Sequence, residues 1–328
     1  MSKTVLPLTK FASFLLIPMF LIGTLGCSID EKSEVDKCWD IESIDLKEAI
    51  EYGKSLVNKH PENIEAYRCL AAAYYDAGHP KEAYDTIEKA VEVEENKWLN
   101  RLFGSHNLTL YEDAGDYARD INLDKAIEYY NKGLKYATEM DDIRVVLFEE
   151  DMGVVYSMKG DTANALRYLR DALLELYNHD FRNTKGVNHL KEEITIPSNL
   201  AVAYYRSGNN EEANEYLQKA IDKEDRYIKY LDYPDNFDVK ISIGETCETL
   251  NTYDCAEKYY LDATNLAKWQ DDEYREALGY KRLAELYDKI GKKDLAKEYY
   301  NRAYKLFKSL NADGIAETIL KKIDQKEM

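Results

Sequence analysis

Leu70-Ala71-Ala72-Ala73-Tyr74, then Gly78, then Ala83 and Ala90, spell a helix, a turn and a second helix. Leu70, Ala71 and Tyr74 share one face of the first helix; Ala83, Ile87 and Ala90 share one face of the second. Gly78 suits a left-handed helix C-terminus, where a Cβ would cost energy. His79-Pro80 opens the second helix, because proline is tolerated in a first turn. Small residues at the facing positions let two antiparallel helices approach closely.

The same wording returns along the chain. Met152-Gly153-x-x-Tyr156 runs to Gly160, Ala165 and Ala172; Leu200-Ala201-x-x-Tyr204 runs to Gly208, Ala213 and Ala220; Leu283-Ala284-x-x-Tyr287 runs to Gly291, Ala296 and Ala303. Two copies vary. Ala114-x-x-Tyr117 with Ala126 has Ile121 where the turn glycine would be, and Ile243-Gly244-x-x-Cys247 with Ala256 has Asn251 there. Ala49 marks a leading half copy. The marker alanines 49, 83, 126, 165, 213, 256 and 296 are spaced by 34, 43, 39, 48, 43 and 40 residues. A recurring helix–turn–helix unit of this length signals a solenoid, in which each unit buries its apolar face on its neighbours.

This pattern resembles the tetratricopeptide repeat, in its longer variants of about 40 residues. The resemblance implies an all-α, right-handed superhelical solenoid and a binding surface, not a catalyst. Residues 42–310 form the expected array, a half repeat plus six helix pairs, and residues 311–328 a capping helix that solvates the last apolar face. Insertions fall at Asn96–Thr109 and at His179–Ile196, with Pro197 opening the next helix. Tyr233-Pro234-Asp235-Asn236 marks a further turn.

The front end has another composition. Lys3 and Lys10 precede the apolar run Phe11–Ile22, and Gly23-Thr24-Leu25-Gly26 leads to Cys27. This is signal-peptide architecture. Gly26-Cys27 resembles a bacterial lipobox, which implies lipidation at Cys27, a signal peptide over 1–27 and a tether over 28–41. Lipid anchors a protein without spanning the membrane. Ser28 after the cysteine points to the outer membrane, and a periplasm-facing orientation is expected there.

The formal net charge is −18. Removing residues 1–27 takes away two lysines and no acids, leaving about −20. Such a surface disfavours nucleic acid and anionic lipid, and favours basic partners or plain solubility. Carboxylate runs such as Glu149-Glu150-Asp151 read as solvated helix faces. Cys38, Cys69, Cys247 and Cys255 remain after lipidation, and an exported chain meets an oxidising compartment. Cys247 with Cys255 across one hairpin turn, and Cys38 with Cys69, are two possible disulfides; the alternative is buried thiols. The histidines at 60, 79, 106, 179 and 189 have no metal spacing, and no nucleophile elbow, phosphate loop or dinucleotide fingerprint occurs. The reading is therefore a non-enzyme without cofactor or metal.

In tetratricopeptide-repeat proteins the first helix of each pair lines a concave groove that holds a peptide or protein. Carried onto this chain, that implies Arg68, Ala72, Tyr75, Asp76, Tyr111, Arg119, Val154, Met158, Val202, Tyr205, Arg206, Glu245, Glu248, Lys281, Glu285 and Lys289. Tyrosine and arginine make interface hot spots, so the expected partner-binding set is Arg68, Tyr75, Tyr111, Arg119, Tyr205, Arg206 and Lys281. The carboxylate clamp of chaperone-binding members is missing, since Arg68 stands with Ala72 and Lys281 with Glu285. The expected function is a lipid-anchored envelope scaffold. A glycan- or ligand-binding surface lipoprotein is the alternative, although relatives of that kind carry a large non-repeat region.

Overall fold

A computed structural model of the protein describes residues 29–42, 44–96, 107–178 and 189–324. Cys27, His106 and His179 lie outside these. The described residues hold fifteen α-helices. They form seven antiparallel pairs: α1 Ile29–Glu42 with α2 Leu46–Lys59, α3 Ile64–Asp76 with α4 Pro80–Asn96, and α5 Leu108–Arg119 with α6 Leu123–Glu139. There follow α7 Val145–Met158 with α8 Thr162–Asn178, α9 His189–Arg206 with α10 Asn210–Tyr227, α11 Tyr233–Thr249 with α12 Tyr253–Trp269, and α13 Glu273–Lys289 with α14 Lys293–Ser309. The last helix is α15, Asp313–Asp324.

The repeat signals occupy the places their chemistry suits. All seven marker alanines are 0% exposed, so any larger side chain there would overpack the contact by about 1–3 kcal/mol. Gly78 is left-handed, with φ 83°. There Gly78 N donates to Tyr75 O at 2.9 Å and His79 N to Tyr74 O at 2.8 Å, which satisfies the last carbonyls of α3. Asn251 replaces glycine at φ 60°, as asparagine tolerates this region. The Ile121 turn does without a left-handed residue; Asn122 N donates to Ala118 O, and its side chain caps α6 through Asp124 N at 3.0 Å.

Two parts differ from the sequence expectation. The expected tether over 28–41 is mostly helix α1, whose Val35 and Cys38 are buried. A disulfide joins Cys38 to Cys69 on α3, so the leading half repeat is a full pair. Pro197 lies inside α9 and does not open it. The helix already runs from His189, with Ile194 and Ile196 buried before the proline. That burial outweighs the one backbone hydrogen bond proline removes.

The array also closes on itself. Gly314 N donates to Ala77 O at 2.9 Å. Tyr274 Oη donates to Asp76 Oδ1 at 3.1 Å across 198 residues, and Asn311 Nδ2 to Asp45 Oδ2 at 3.2 Å across 266. Helix α15 caps α14 through Ala316, Ile319 and Ile323. Its N-terminal turn seats on the α3–α4 turn, so the expected cap is also half of a seam.

Candidate functional site: the inner face of the array

Each first helix packs on its own partner, and α1 also packs on α3, α3 on α5, α7 on α9, α9 on α11 and α11 on α13. These first helices therefore form the inner layer and the even helices the outer one. The inner layer is stitched by polar side chains from one first helix to the next. Arg68 of α3 donates to Asp113 of α5 at 2.5 Å. Asn199 of α9 donates to Glu150 of α7 at 2.8 Å. Lys289 of α13 pairs with Glu248 of α11 at 3.1 Å, and Lys322 of α15 with Glu285 of α13 at 3.0 Å.

The expected groove residues fall as follows. Tyr75 donates to Asp120 at 2.9 Å, and its ring lies 5.1 Å from that of Tyr117. Arg119 faces Asp116 at 3.6 Å. Tyr205 accepts from Asn251 Nδ2 at 2.7 Å. Arg206 is exposed and donates to Ser157 Oγ at 2.9 Å. Lys281 lies 3.8 Å from Glu285. Tyr111 is a correction. It is 1% exposed and packs 5.4 Å from Tyr136 of α6, because it continues the buried stripe Leu108, Gly115, Ala118 of α5. It offers no surface to a ligand. Cys247 and Cys255 are joined by a disulfide across the α11–α12 turn.

The carboxylates of α5, α7 and α9 correct the reading of solvated faces. Glu150 is 7% exposed and Glu192 6%. Burial pushes Glu150 well above the usual carboxylate range, and nearby Glu192 adds to it. Burial likewise raises Asp151, with Asp116 adding and Arg119 opposing. Glu112, on the same inner layer, is pushed up to about 7 by burial and then by Asp116 and Asp113. An isolated buried carboxylate takes up a proton to escape the cost of desolvation. One turn or two further along α7 and α9 the inner wall opens into a cavity of about 160 Å³. It is lined by Val154 and Met158 of α7, Asn199, Val202 and Arg206 of α9, and Glu245 and Thr246 of α11. A second cavity of about 270 Å³ shares Ser242 and Glu245 and continues between α11 and α13 past Phe237, Ile241 and Leu278.

Sequence reasoning named Val154, Met158, Val202, Arg206 and Glu245. It missed Asn199 and the buried carboxylates, although Asn199 stands at i, i+3, i+7 with Val202 and Arg206, and Asp151 likewise with Val154 and Met158. Among the described residues no His, Cys, Asp and Glu cluster is arranged to hold a metal ion, and no helix is long and apolar enough to cross a membrane.

A solenoid of helix pairs with a polar inner layer and marker alanines at each pair's contact defines a tetratricopeptide-repeat protein. Family models for the tetratricopeptide repeat match residues 198–223 and 279–309. Kinesin light chain-related protein 3 of Arabidopsis thaliana is 26% identical over 78% of this chain. The match takes in 39% of that relative, so the chain spans well under half of its length. Among solved structures, NprR in complex with its cognate peptide NprX superposes with a TM-score of 0.56 at 16% identity, over 84% of this chain and 78% of that one. A Rap protein complexed with Competence and Sporulation Factor does so with 0.54 at 17%, over 90% and 80%.

Proposed function

We propose that the protein is a lipid-anchored scaffold of the bacterial cell envelope that holds a protein or peptide partner on the inner face of its array. One observation carries the reading: the inner layer of first helices offers a row of polar groups and two adjoining cavities, while the marker alanines are fully buried in the pairs. Two solved arrays of this fold are described with a peptide or factor bound, which supports a protein or peptide partner here. Lipidation at Cys27 rests on the Gly26-Cys27 signal and residence at the outer membrane on Ser28 after it; a periplasm-facing orientation is part of the proposal. The oxidised pairs Cys38–Cys69 and Cys247–Cys255 suit an oxidising compartment.

The test uses a photo-crosslinking residue at Val202 or Tyr75 inside the array and at Trp269, which is 78% exposed, as a reference. The proposal expects the inner positions to trap one partner in intact envelopes, and Cys27→Ser to move the protein from the membrane to the soluble fraction. Trapping from Trp269 alone, or unchanged membrane association of Cys27→Ser, would contradict the corresponding half.

A further inference from the structure

The first and last pairs of the array meet at a narrow seam. Gly314 N donates to Ala77 O at 2.9 Å. A Cβ on Gly314 would lie 2.4 Å from Gly78 O, and one on Gly78 would lie 2.4 Å from Ile315 N. Two glycines let the turns approach this closely. Leu46 and Ala77 share a buried apolar cluster with Ala312 and Ala316. These contacts fix where the two ends meet.

The polar part of the seam differs from the ion pairs elsewhere on the inner layer. Glu42 at the end of α1 and Asp76 at the end of α3 hydrogen-bond carboxyl to carboxyl, which requires a proton on one of them. From across the seam, Tyr274 Oη of α13 donates to Asp76 Oδ1 at 3.1 Å. The surroundings offer little to offset a second negative charge. Arg275 of α13 acts on Glu42, but its guanidinium is bound to Asp272 at 2.9 Å. Tyr75 of α3 is given to Asp120, and Tyr117 of α5 is a further phenol beside Asp76. Asp45 of the α1–α2 turn, which accepts from Asn311 at 3.2 Å, adds another carboxylate to the same side. Burial, and then Asp76, pushes Glu42 up to about 8. Tyr274 stays a donor, because burial and then Asp76 raise its hydroxyl well above its usual range.

We propose that Glu42, Asp76 and Tyr274 form a proton-operated latch: the seam closes with one proton held between the two carboxyls and parts when that proton leaves. An open seam returns Glu42 to water and to the ordinary carboxylate value of 4.5. The closed form is therefore favoured most below that value, and its advantage is lost as pH rises through 8. A closed ring admits a partner to the inner face only from its ends, an open one also from the side. The latch stands independently of the lipid anchor and of the partner's identity.

The test measures the distance across the seam by pulsed electron–electron double resonance. Spin labels sit at Ile44→Cys and Leu320→Cys, whose natural side chains are 74% and 40% exposed. The full chain carries Cys27→Ser, and the four other cysteines are held in disulfides, so only the introduced thiols take label. At pH 5 one short distance should dominate. The ratio of closed to open chains should then fall by up to about ten-fold per pH unit toward pH 8 and level off above it, the slope of one proton. Glu42→Gln, which keeps the shape of the protonated group, should hold the short distance at every pH. Tyr274→Phe, which loses the donor to Asp76, should show more of the long distance at pH 5. A short distance at every pH in the natural sequence overturns the latch, as does a long one already at pH 5. Opening with pH that persists in Glu42→Gln also overturns it, because the other raised carboxyls, Glu112 and Glu149, remain in that variant.

Discussion

Replacing Gly115 of α5 by alanine tests how tightly the inner layer is fitted to the outer one. A Cβ there would lie 2.2 Å from Tyr130 Cε1 and 2.5 Å from Cδ1. Tyr130 cannot retreat easily: it is 0% exposed and donates to Asp116 Oδ1 at 2.6 Å. Overpacking costs about 1–3 kcal/mol, and losing a bond to a carboxylate costs about 1.5–3 kcal/mol. Helix propensity returns about 1 kcal/mol when alanine replaces glycine. The net expectation is a loss of about 3 kcal/mol, read as a lower urea midpoint at unchanged slope. Gly160→Ala is the control. It has nothing within 4 Å and a φ of 80°, so only the left-handed strain of about 1–2 kcal/mol applies. In a Tyr130→Leu background the Gly115→Ala penalty should shrink or reverse. If Gly115→Ala alone proves as stable as the natural chain, the fitted contact beneath Asp116 and Arg119 is refuted.

Burial pushes Glu112 and Glu149 up to about 7 and Glu42 up to about 8. The folded chain therefore keeps protons that the unfolded chain has released, and stability present at pH 4.5 is lost as pH rises through 7 to 8; melting temperature should fall between pH 5 and pH 8, and a rise would contradict the buried placement. Reduction of Cys38–Cys69, which closes 31 residues, should cost about 3.5–4 kcal/mol and free α1 for proteolysis at its junction with α2. A protease-resistant α1 in Cys38→Ser would show that packing alone holds it. Gly314→Ala places a Cβ 2.4 Å from Gly78 O, so the seam should part while α15 keeps its contacts with α14. X-ray scattering should then show a longer maximum dimension at unchanged helical circular dichroism, and an unchanged dimension would argue against closure.

The helix pairs were legible because a pair is a local object. Ala83 against α3, or Gly78 at the end of α3, depends on neighbours within one repeat, and their chemistry states itself in residue type. Tyr111 was misplaced because a repeat position carries a face only if the helix keeps its rotation; α5 starts at the end of the Asn96–Thr109 insertion and turns the tyrosine into the core. Pro197 misled because one lost hydrogen bond was weighed without the buried Ile194 and Ile196 that precede it. Glu150 read as solvated since its charge is visible in sequence and its burial is not. The seam from Asp76 to Tyr274 and from Asp45 to Asn311 is invisible to any local rule. It depends on the small rotation between successive pairs, summed around the array.

The claim that matters most is that a partner occupies the inner face. Site-specific crosslinking from Val202, in envelopes of the organism that makes the protein, tests it directly with Arg119→Ala/Arg206→Ala as the paired control. One partner trapped at Val202, lost in the double variant and absent from Trp269, is the predicted result. The partner trapped from Trp269 and not from Val202 would place binding on the outer face and contradict the account; trapping at Val202 that survives the double variant would keep the inner face and refute the role of its two arginines.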